Sequence, residues 1–224
     1  IWYKNSIMEV KGVDICMLKE YLEKAYGYNE PIFISEIQLE GISDNALRQY
    51  FKRMVQSGDI IRFDTGVYYL PKASRILKKS YLDPMKVIIR KYIKNAGETY
   101  GYFSGATFAN QIGLTTQMPT VLEIVTSRES TKGRIVTVGS QKVRLKRPSI
   151  EITSENAGLL QLLDIVSQAN LYSEYPEQKT GEILKRYVRN QRYTRESLMN
   201  SLPAITGTTA KNLIKWGIIY EFTS

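Results

Sequence analysis

The sequence predicts a mixed α/β fold of the α+β kind, organised as two domains over residues 1–80 and 81–224. The chain has 224 residues, 43% of them apolar or aromatic, which is enough to bury a core in each of two small domains. Amphipathic helical patterns and short β-branched or aromatic runs both occur along it. Before residue 80, helices lead into a single hairpin; after residue 80, strands alternate with helices and a helical region closes the chain.

The charge balance is strongly basic. The sequence has 31 Lys and Arg against 22 Asp and Glu, a net charge of +9. Such a charge points to nucleic acid or an acidic protein surface as partner, and the alternative is a solvated basic surface.

The chain lacks the residues on which several classes of enzyme and metal site depend. The chain contains no histidine and one cysteine, Cys16, so it cannot supply a Ser-His or Cys-His pair and has almost no zinc ligands. It contains no phosphate-binding glycine loop. A restriction-type nuclease would need Glu-x-Lys on a strand, but Val125 follows Glu123 at the lysine position, and Asp83 and Asp164 have no evident metal partner. The sequence therefore predicts a protein without enzymatic activity, metal or cofactor.

The sequence also predicts a cytoplasmic protein without a membrane partner. No apolar run approaches the roughly 20 residues that span a bilayer, and no secretory signal is recognisable. A single cysteine cannot form an intrachain disulfide, which fits a reducing compartment.

Three helices are expected before residue 60. Residues 13–26 carry apolar residues on one helical face, and "FISEIQLEG" is expected to form a short helix ending near Gly41. A third helix is expected between an N-cap at Ser43 or Asp44 and a C-cap at Gly58. Its apolar stripe consists of Leu47, Tyr50, Phe51, Met54 and Val55.

The opposite face of the third helix has the residue types that read DNA bases. Arg pairs with guanine, Asn and Gln pair with adenine, and Lys binds phosphate or guanine. An ordinary solvated helix face is the alternative. The residues of this face are Asn45, Arg48, Gln49 and Lys52, with Arg53 at its edge.

The stretch "DIIRFDTGVYYL" predicts a hairpin directly after that helix. Its strands are β-branched and aromatic, and Asp64-Thr65-Gly66 forms the turn. The order of helices and hairpin is that of a winged helix-turn-helix, in which Arg62 and Lys72 flank the wing and Arg75 and Lys78 follow it. Winged helices also serve as protein-binding modules, which is the alternative function.

The second domain is expected to combine helices with a strand and a basic hairpin. A helix should begin at Asp83-Pro84 and end at Gly97, another should lie between Ser104 and Gly113, and "TVLEIVTS" should form a strand. The hairpin should turn near Gly139-Ser140, with Val143 and Leu145 on the face opposite its lysines and arginines. These basic residues form a second basic surface, for nucleic acid or an acidic partner, or else the soluble face of an edge strand. Its members are Arg128, Lys132, Arg134, Lys142, Arg144, Lys146 and Arg147.

Helices are expected to close the chain. "TSENAGLLQLLDIVSQAN" should form one, capped by Thr153 or Ser154, with Leu159, Leu162, Leu163 and Val166 on its buried side. A last, basic helical region should begin near Gly181, and a cap at Thr208 or Thr209 should precede the final segment.

Three blocks of the sequence resemble the AbiEi-type antitoxins of bacterial type IV, abortive-infection toxin–antitoxin systems. They are "ALRQYFKRMVQSGDIIRFDTGVYYLPK", "YFSGATFANQIGLTTQMPTVLEIVTS" and "KGRIVTVGSQKVRLKRP", and the resemblance covers roughly residues 13–165. The second block is the most specific, with Ser-Gly at a helix start, a Gly-Leu-Thr-Thr-Gln turn and a strand.

The resemblance implies an antitoxin that is also a transcriptional autorepressor. Its winged helix would bind operator DNA, with self-association on the DNA, and its C-terminal domain would counter a nucleotidyltransferase-type toxin without a stable complex. A stand-alone regulator without a toxin is the alternative. The implied DNA contacts are Asn45, Arg48, Gln49, Lys52, Arg53 and Arg62. The implied antitoxin surface comprises Arg134, Lys142, Arg144, Lys146 and Arg147.

Overall fold

The fold is mixed α/β, as the sequence predicts. The computed structural model describes residues 15–73, 79–131 and 133–223. The chain divides into two compact units, Ile1–Val87 and Ile88–Ser224. Within the described residues, no helix combines the length and apolar character needed to cross a membrane. Some predicted features lie outside the described residues: the first two positions of the 13–26 helix, and the basic residues Arg75, Lys78 and Lys132.

The first unit packs two helices and three short strands around one core. The elements are α1 (Ile15–Ala25), β1 (Ile32–Phe33), α2 (Asp44–Ser57), β2 (Ile61–Asp64) and β3 (Val67–Tyr69). The strands form an antiparallel sheet in the order β1-β3-β2. The core contains Leu18, Leu22, Ile32, Ile37, Leu47, Phe51, Met54, Ile60 and Leu70.

Both predicted ends of α2 are confirmed. The Ser43 Oγ accepts a hydrogen bond from the Ala46 backbone N–H at 3.3 Å, which satisfies a donor that the first helical turn leaves open. Gly58 ends the helix in the left-handed conformation at φ 81°. The buried stripe is narrower than predicted, because Val55 is 36% exposed.

The predicted helix in "FISEIQLEG" is wrong. Residues Ile32–Phe33 form β1, and only Ile34–Glu36 make one turn of 3-10 helix. Ile32 pairs with Tyr68 across the sheet and is fully buried. Pairing with a strand more than 30 residues away therefore decides the local conformation. The periodicity of the nearby sequence does not reveal such a long-range pairing.

The predicted hairpin is confirmed. Strands β2 and β3 pair antiparallel, with Arg62 opposite Tyr68 and a register shift before Asp64. Gly66 has φ 72°, which a residue with a Cβ adopts only with strain, so the glycine allows the tight turn.

The helix after Asp83 begins as predicted but ends early. It is α3 (Pro84–Tyr92), and the Asp83 Oδ1 accepts from the Met85 N–H at 2.9 Å. The predicted end at Gly97 is wrong, because β4 (Lys94–Asn95) and β5 (Glu98–Thr99) form a small hairpin there. Its turn residues Ala96 and Gly97 both have positive φ, a backbone state that no helix continues through.

A four-stranded mixed sheet organises the second unit. Its strands are β6 (Gly101–Phe103), β7 (Val121–Thr126), β8 (Arg134–Val138) and β9 (Gln141–Lys146), in the order β6-β7-β9-β8. β7 and β9 run parallel, and the other two pairs are antiparallel. The β8–β9 turn at Gly139-Ser140 is where the sequence predicts it.

The second unit also contains helices. They are α4 (Gly105–Gln111), α5 (Ala157–Tyr172), α6 (Glu177–Gln191), α7 (Arg195–Asn200) and α8 (Gly207–Lys215), with 3-10 turns at Leu202–Ala204 and Ile218–Glu221. Asn156 is the N-cap of α5, and its backbone N–H donates to the predicted cap residue Thr153 at 3.3 Å. The four predicted leucine and valine positions of α5 are buried, but so are Leu160 and Ile165, because α5 packs against neighbours on several sides.

The C-terminal helical region differs from the prediction in its boundaries. α6 starts before Gly181, so this glycine lies inside the helix, at a point where a Cβ would come 3.1 Å from the Trp216 side chain. α6 ends at Gln191, where its C-cap Arg192 has φ 54°, and α7 follows. The α8 cap is Thr206, not Thr208 or Thr209: its Oγ1 accepts from the Thr209 N–H at 3.1 Å.

Candidate functional site

Five polar side chains project from one face of α2. All five are exposed, and none has a hydrogen-bond or ion-pair partner in the part of the chain that the structure describes. This α2 polar face consists of Asn45, Arg48, Gln49, Lys52 and Arg53.

The buried side of α2 fixes the direction of the polar face. Leu47, Phe51 and Met54 are buried in the core of the first unit. The Phe51 ring packs edge-on against the Tyr68 ring of β3, with 4.9 Å between centroids. Because the side chains of a helix follow a 3.6-residue period, anchoring these three turns the α2 polar face outward.

An ion pair not foreseen in the sequence also fixes the end of α2. Lys19 of α1 contacts Asp59 with 2.6 Å between Nζ and Oδ1, and the Ser57 hydroxyl donates to the other carboxylate oxygen at 2.5 Å. The hydrogen bond from Lys19, followed by that from Ser57, lowers the pKa of Asp59 below its usual value. The contacts join α1 to the residues that connect α2 with β2.

Arg62 lies on the hairpin that follows α2. Its side chain is exposed, and its Nε donates to the Asp64 carbonyl oxygen at 3.4 Å. The Asp64 carboxylate in turn accepts from the Thr65 N–H at 2.7 Å. The first unit therefore contains all six predicted DNA contacts, five on α2 and one on β2. Lys72 lies close by in sequence with its ammonium 5.2 Å from the Tyr28 ring centroid.

The second basic surface follows the predicted alternation along β9. Lys142 and Arg144 are exposed, whereas Val143 and Leu145 between them are fully buried. Arg147, just beyond the strand, is exposed as well. Across the described residues, these three basic side chains have no ion-pair partner.

Three other members of the second basic surface are engaged within the protein. Lys146 Nζ lies 2.7 Å from Glu123 Oε2, and Arg134 Nε lies 2.8 Å from Glu129 Oε2. Arg128 donates to the Lys91 carbonyl oxygen and lies 3.5 Å from the Tyr100 ring centroid. Their charges therefore contribute less to an external partner than those of Lys142, Arg144 and Arg147.

The Lys146 ion pair belongs to a polar cluster between the sheet and α5. Glu123 is only 8% exposed and also accepts from the Tyr172 hydroxyl at 3.3 Å. Asp164 of α5 accepts from the Gln168 amide at 2.7 Å, and burial raises its pKa. Lys146 arrives beside Glu123 because β7 and β9 are parallel neighbours. Over residues 15–73, 79–131 and 133–223, no three acidic or sulfur side chains form a group that could hold a metal ion.

Gly105 of the Ser-Gly motif is explained by this cluster. A Cβ at Gly105 would come 2.5 Å from Glu123 Oε1, and the residue has φ 53°. Glycine thus allows α4 to start directly against the buried carboxylate.

The Gly-Leu-Thr-Thr-Gln turn is held by one glutamate from beyond α5. Glu174 accepts from the Thr115 hydroxyl at 2.7 Å, and from the Thr116 N–H and hydroxyl at 3.0 Å each. Its backbone N–H donates to the Leu114 carbonyl oxygen. The backbone hydrogen bond from Thr116 is the largest cause that lowers the pKa of Glu174. The motif therefore has a structural role, fixing the end of α4 to the end of α5.

Glu129 makes the stability of the β7–β8 connection depend on pH. The hydroxyl and then the backbone N–H of Thr131 are the main causes that lower its pKa from 4.5 to about 2, with Arg134 contributing less. A lowered pKa in the folded state stabilises the protein above the unfolded pKa, and this contribution is lost as the pH falls from about 4.5 to about 2.

Glu129→Gln should therefore lower the melting temperature at neutral pH and have progressively less effect as the pH falls below about 5. Melting curves of the wild type and the variant from pH 7 to pH 2.5 measure this. Glu155→Gln, at an exposed position, is the control. A difference in melting temperature that stays constant across the range would contradict the role of Glu129.

The sequence pattern of a protein family matches residues 27–191, which is most of the chain. The chain belongs to the DUF6088 family. This is a family of unknown function. The matched region of this DUF6088 protein includes the α2 polar face, the β2–β3 hairpin and the second basic surface. No curated protein matches the chain.

Proposed function

We propose that this DUF6088 protein is an antitoxin and transcriptional autorepressor of a type IV toxin–antitoxin operon. The first unit binds operator DNA as a winged helix, and the second unit counters a nucleotidyltransferase-type toxin. The observation that carries the DNA-binding half is the α2 polar face, whose five exposed side chains have no partner among the described residues.

The arrangement of the first unit supports the winged-helix assignment. Helix α2 is followed directly by the β2–β3 hairpin, and β1 completes a three-stranded sheet. In a winged helix-turn-helix, the recognition helix enters the major groove and the hairpin lies against the neighbouring backbone. α2 takes the first role and the β2–β3 hairpin takes the second.

The residue types of these two elements fit their roles. Arg48 is of the residue type that binds guanine through two parallel hydrogen bonds, and Asn45 and Gln49 are of the types that bind adenine. Lys52 and Arg62 supply charge for phosphates, which give affinity and orientation without reading sequence. The net charge of +9 adds long-range attraction to DNA.

The antitoxin half rests on the resemblance to AbiEi-type antitoxins and on the exposed part of the second basic surface. Lys142, Arg144 and Arg147 present three cations from the β9 side of the second unit. The surface offers charge for an acidic partner, and it does not require a stable complex with the toxin.

Rescue of growth tests the antitoxin half. Cells that express the toxin gene neighbouring this one should recover when the full chain is produced from an unrelated promoter. Lys142→Glu/Arg144→Glu should abolish the rescue, whereas Arg48→Ala should retain it because that change affects only DNA binding. Circular dichroism of both variants verifies folding. A chain that binds operator DNA but never rescues growth would be a stand-alone regulator, and the antitoxin assignment would be wrong.

A further inference from the structure

A groove in the second unit follows one side of α6. It has a volume of about 480 Å³ and lies between α6, the residues before it and the end of α4. Its walls carry three cationic side chains, one aromatic ring and one amide. The side chains that define its chemistry are Tyr175, Lys179, Glu182, Arg186, Arg189 and Asn190.

Helical geometry aligns the cations of the groove. Lys179 and Arg186 are seven residues apart, two turns of helix, which separates them by about 10 Å along the axis on the same side. Arg189 follows one turn later, near Asn190. The α6 helix therefore presents a row of positive charges rather than a single point.

The ion pairs of the groove residues leave the groove with a net positive charge. Its one acid, Glu182, is paired with Lys185 at 2.5 Å between Oε1 and Nζ. Arg189 uses its Nε for Glu221 at 3.1 Å, and four further guanidinium N–H donors remain. Arg186 is exposed and has no partner among the described residues.

An aromatic ring lies at one end of this charged row. The Lys179 ammonium lies 3.7 Å from the Tyr175 ring centroid, and the ring is only partly exposed. A cationic groove with an adjoining aromatic side chain is the arrangement with which proteins hold single strands: the charges follow the phosphates and the ring contacts a base.

We propose that this groove binds single-stranded nucleic acid. Lys179, Arg186 and Arg189 bind phosphates in that order along the strand, and Tyr175 contacts a base. A concave path along one helix follows a single backbone, whereas a duplex presents two backbones and a broad convex surface. The site belongs to the second unit and does not depend on duplex recognition by α2.

Fluorescence anisotropy of a labelled oligothymidine of about 12 nucleotides tests the proposal with the full chain. Lys179→Glu/Arg186→Glu should weaken binding about tenfold or more, and Lys179→Gln/Arg186→Gln should weaken it less. The control, Arg195→Glu/Lys211→Glu, reverses two exposed charges of the same unit outside the groove and should change affinity less than about twofold. Arg48→Ala/Lys52→Ala should leave this binding intact.

Three results would overturn the proposal. Equal losses in the groove variant and the control would show attraction to net charge alone. If binding of a duplex of the same length depended on Lys179 and Arg186 as strongly as binding of the single strand does, a preference for a single strand would be excluded. If polyglutamate displaced the labelled oligothymidine as effectively as unlabelled oligothymidine does, the groove would be assigned to an acidic protein segment. Melting curves of every variant exclude unfolding as the cause of a loss.

Discussion

Arg48→Ala is expected to weaken binding to the preferred DNA site by about 1–3 kcal/mol and to relax the choice of base at one position. Arg48 is exposed in the middle of the α2 polar face and makes no internal hydrogen bond or ion pair in the described structure. Its removal therefore costs the fold little. Mobility-shift titrations with the preferred duplex and its single-base variants measure both the affinity and the base preference.

Two further variants separate base reading from charge. Lys52→Ala should lower affinity for all sequences alike and reduce the salt dependence of binding by about one unit of slope. Lys24→Ala removes a charge from the last turn of α1, outside the α2 polar face, and should have little effect on sequence preference. If Arg48→Ala binds every duplex as the wild type does, Arg48 has no role in recognition.

Phe51→Ala is expected to destabilise the first unit by about 3–5 kcal/mol. Phe51 is fully buried among the core residues that join α2 to the sheet, and its ring packs edge-on against Tyr68. Alanine would remove these contacts and leave a cavity that the surrounding side chains fill only in part. Denaturant unfolding followed by a probe in the first unit measures the loss.

A neighbour on the same helix provides the control for Phe51. Val55→Ala changes a side chain that is 36% exposed, and its effect should stay within about 1 kcal/mol. Under conditions where Phe51→Ala remains folded, it should still bind DNA, because the α2 polar face is unchanged. An unfolding midpoint for Phe51→Ala equal to that of the wild type would contradict the assigned core.

Local signals in the sequence are sufficient for α2 and for both major hairpins. The Ser43 cap, the glycine at position 58 and the turns at Gly66 and Gly139 each act within a few residues, so the chain encodes them locally. β1 lies outside the reach of such signals because its partner β3 follows more than 30 residues later. The same holds for Gly181, which suggests a helix start in the sequence but lies inside α6, where a Cβ would come 3.1 Å from the Trp216 side chain.

The candidate sites also combine features that local sequence patterns predict with features that depend on long-range contacts. Periodicity alone predicts the exposed polar face of α2, although it wrongly assigns Val55 to the buried stripe, and it predicts the alternation of exposed and buried residues along β9. The ion pair of Lys146 with Glu123 depends on the parallel register of β7 and β9. Glu174 follows α5 in the sequence, so its contact with the Thr115-Thr116 turn depends on how α5 packs. Neither pairing produces a pattern at helical or strand spacing. Sequence reasoning therefore predicts that Lys146 is an exposed cation like its neighbours on β9.

Selection of duplexes from a randomised pool by the full chain tests most directly the central claim, that the α2 polar face reads DNA sequence. We predict enrichment of a defined motif, repeated or palindromic, that also occurs upstream of the gene for this chain. The double variant Arg48→Ala/Gln49→Ala should lose that enrichment while keeping salt-dependent, sequence-independent binding. A wild-type selection that enriches no motif, or a double variant that enriches the same motif, would contradict the claim.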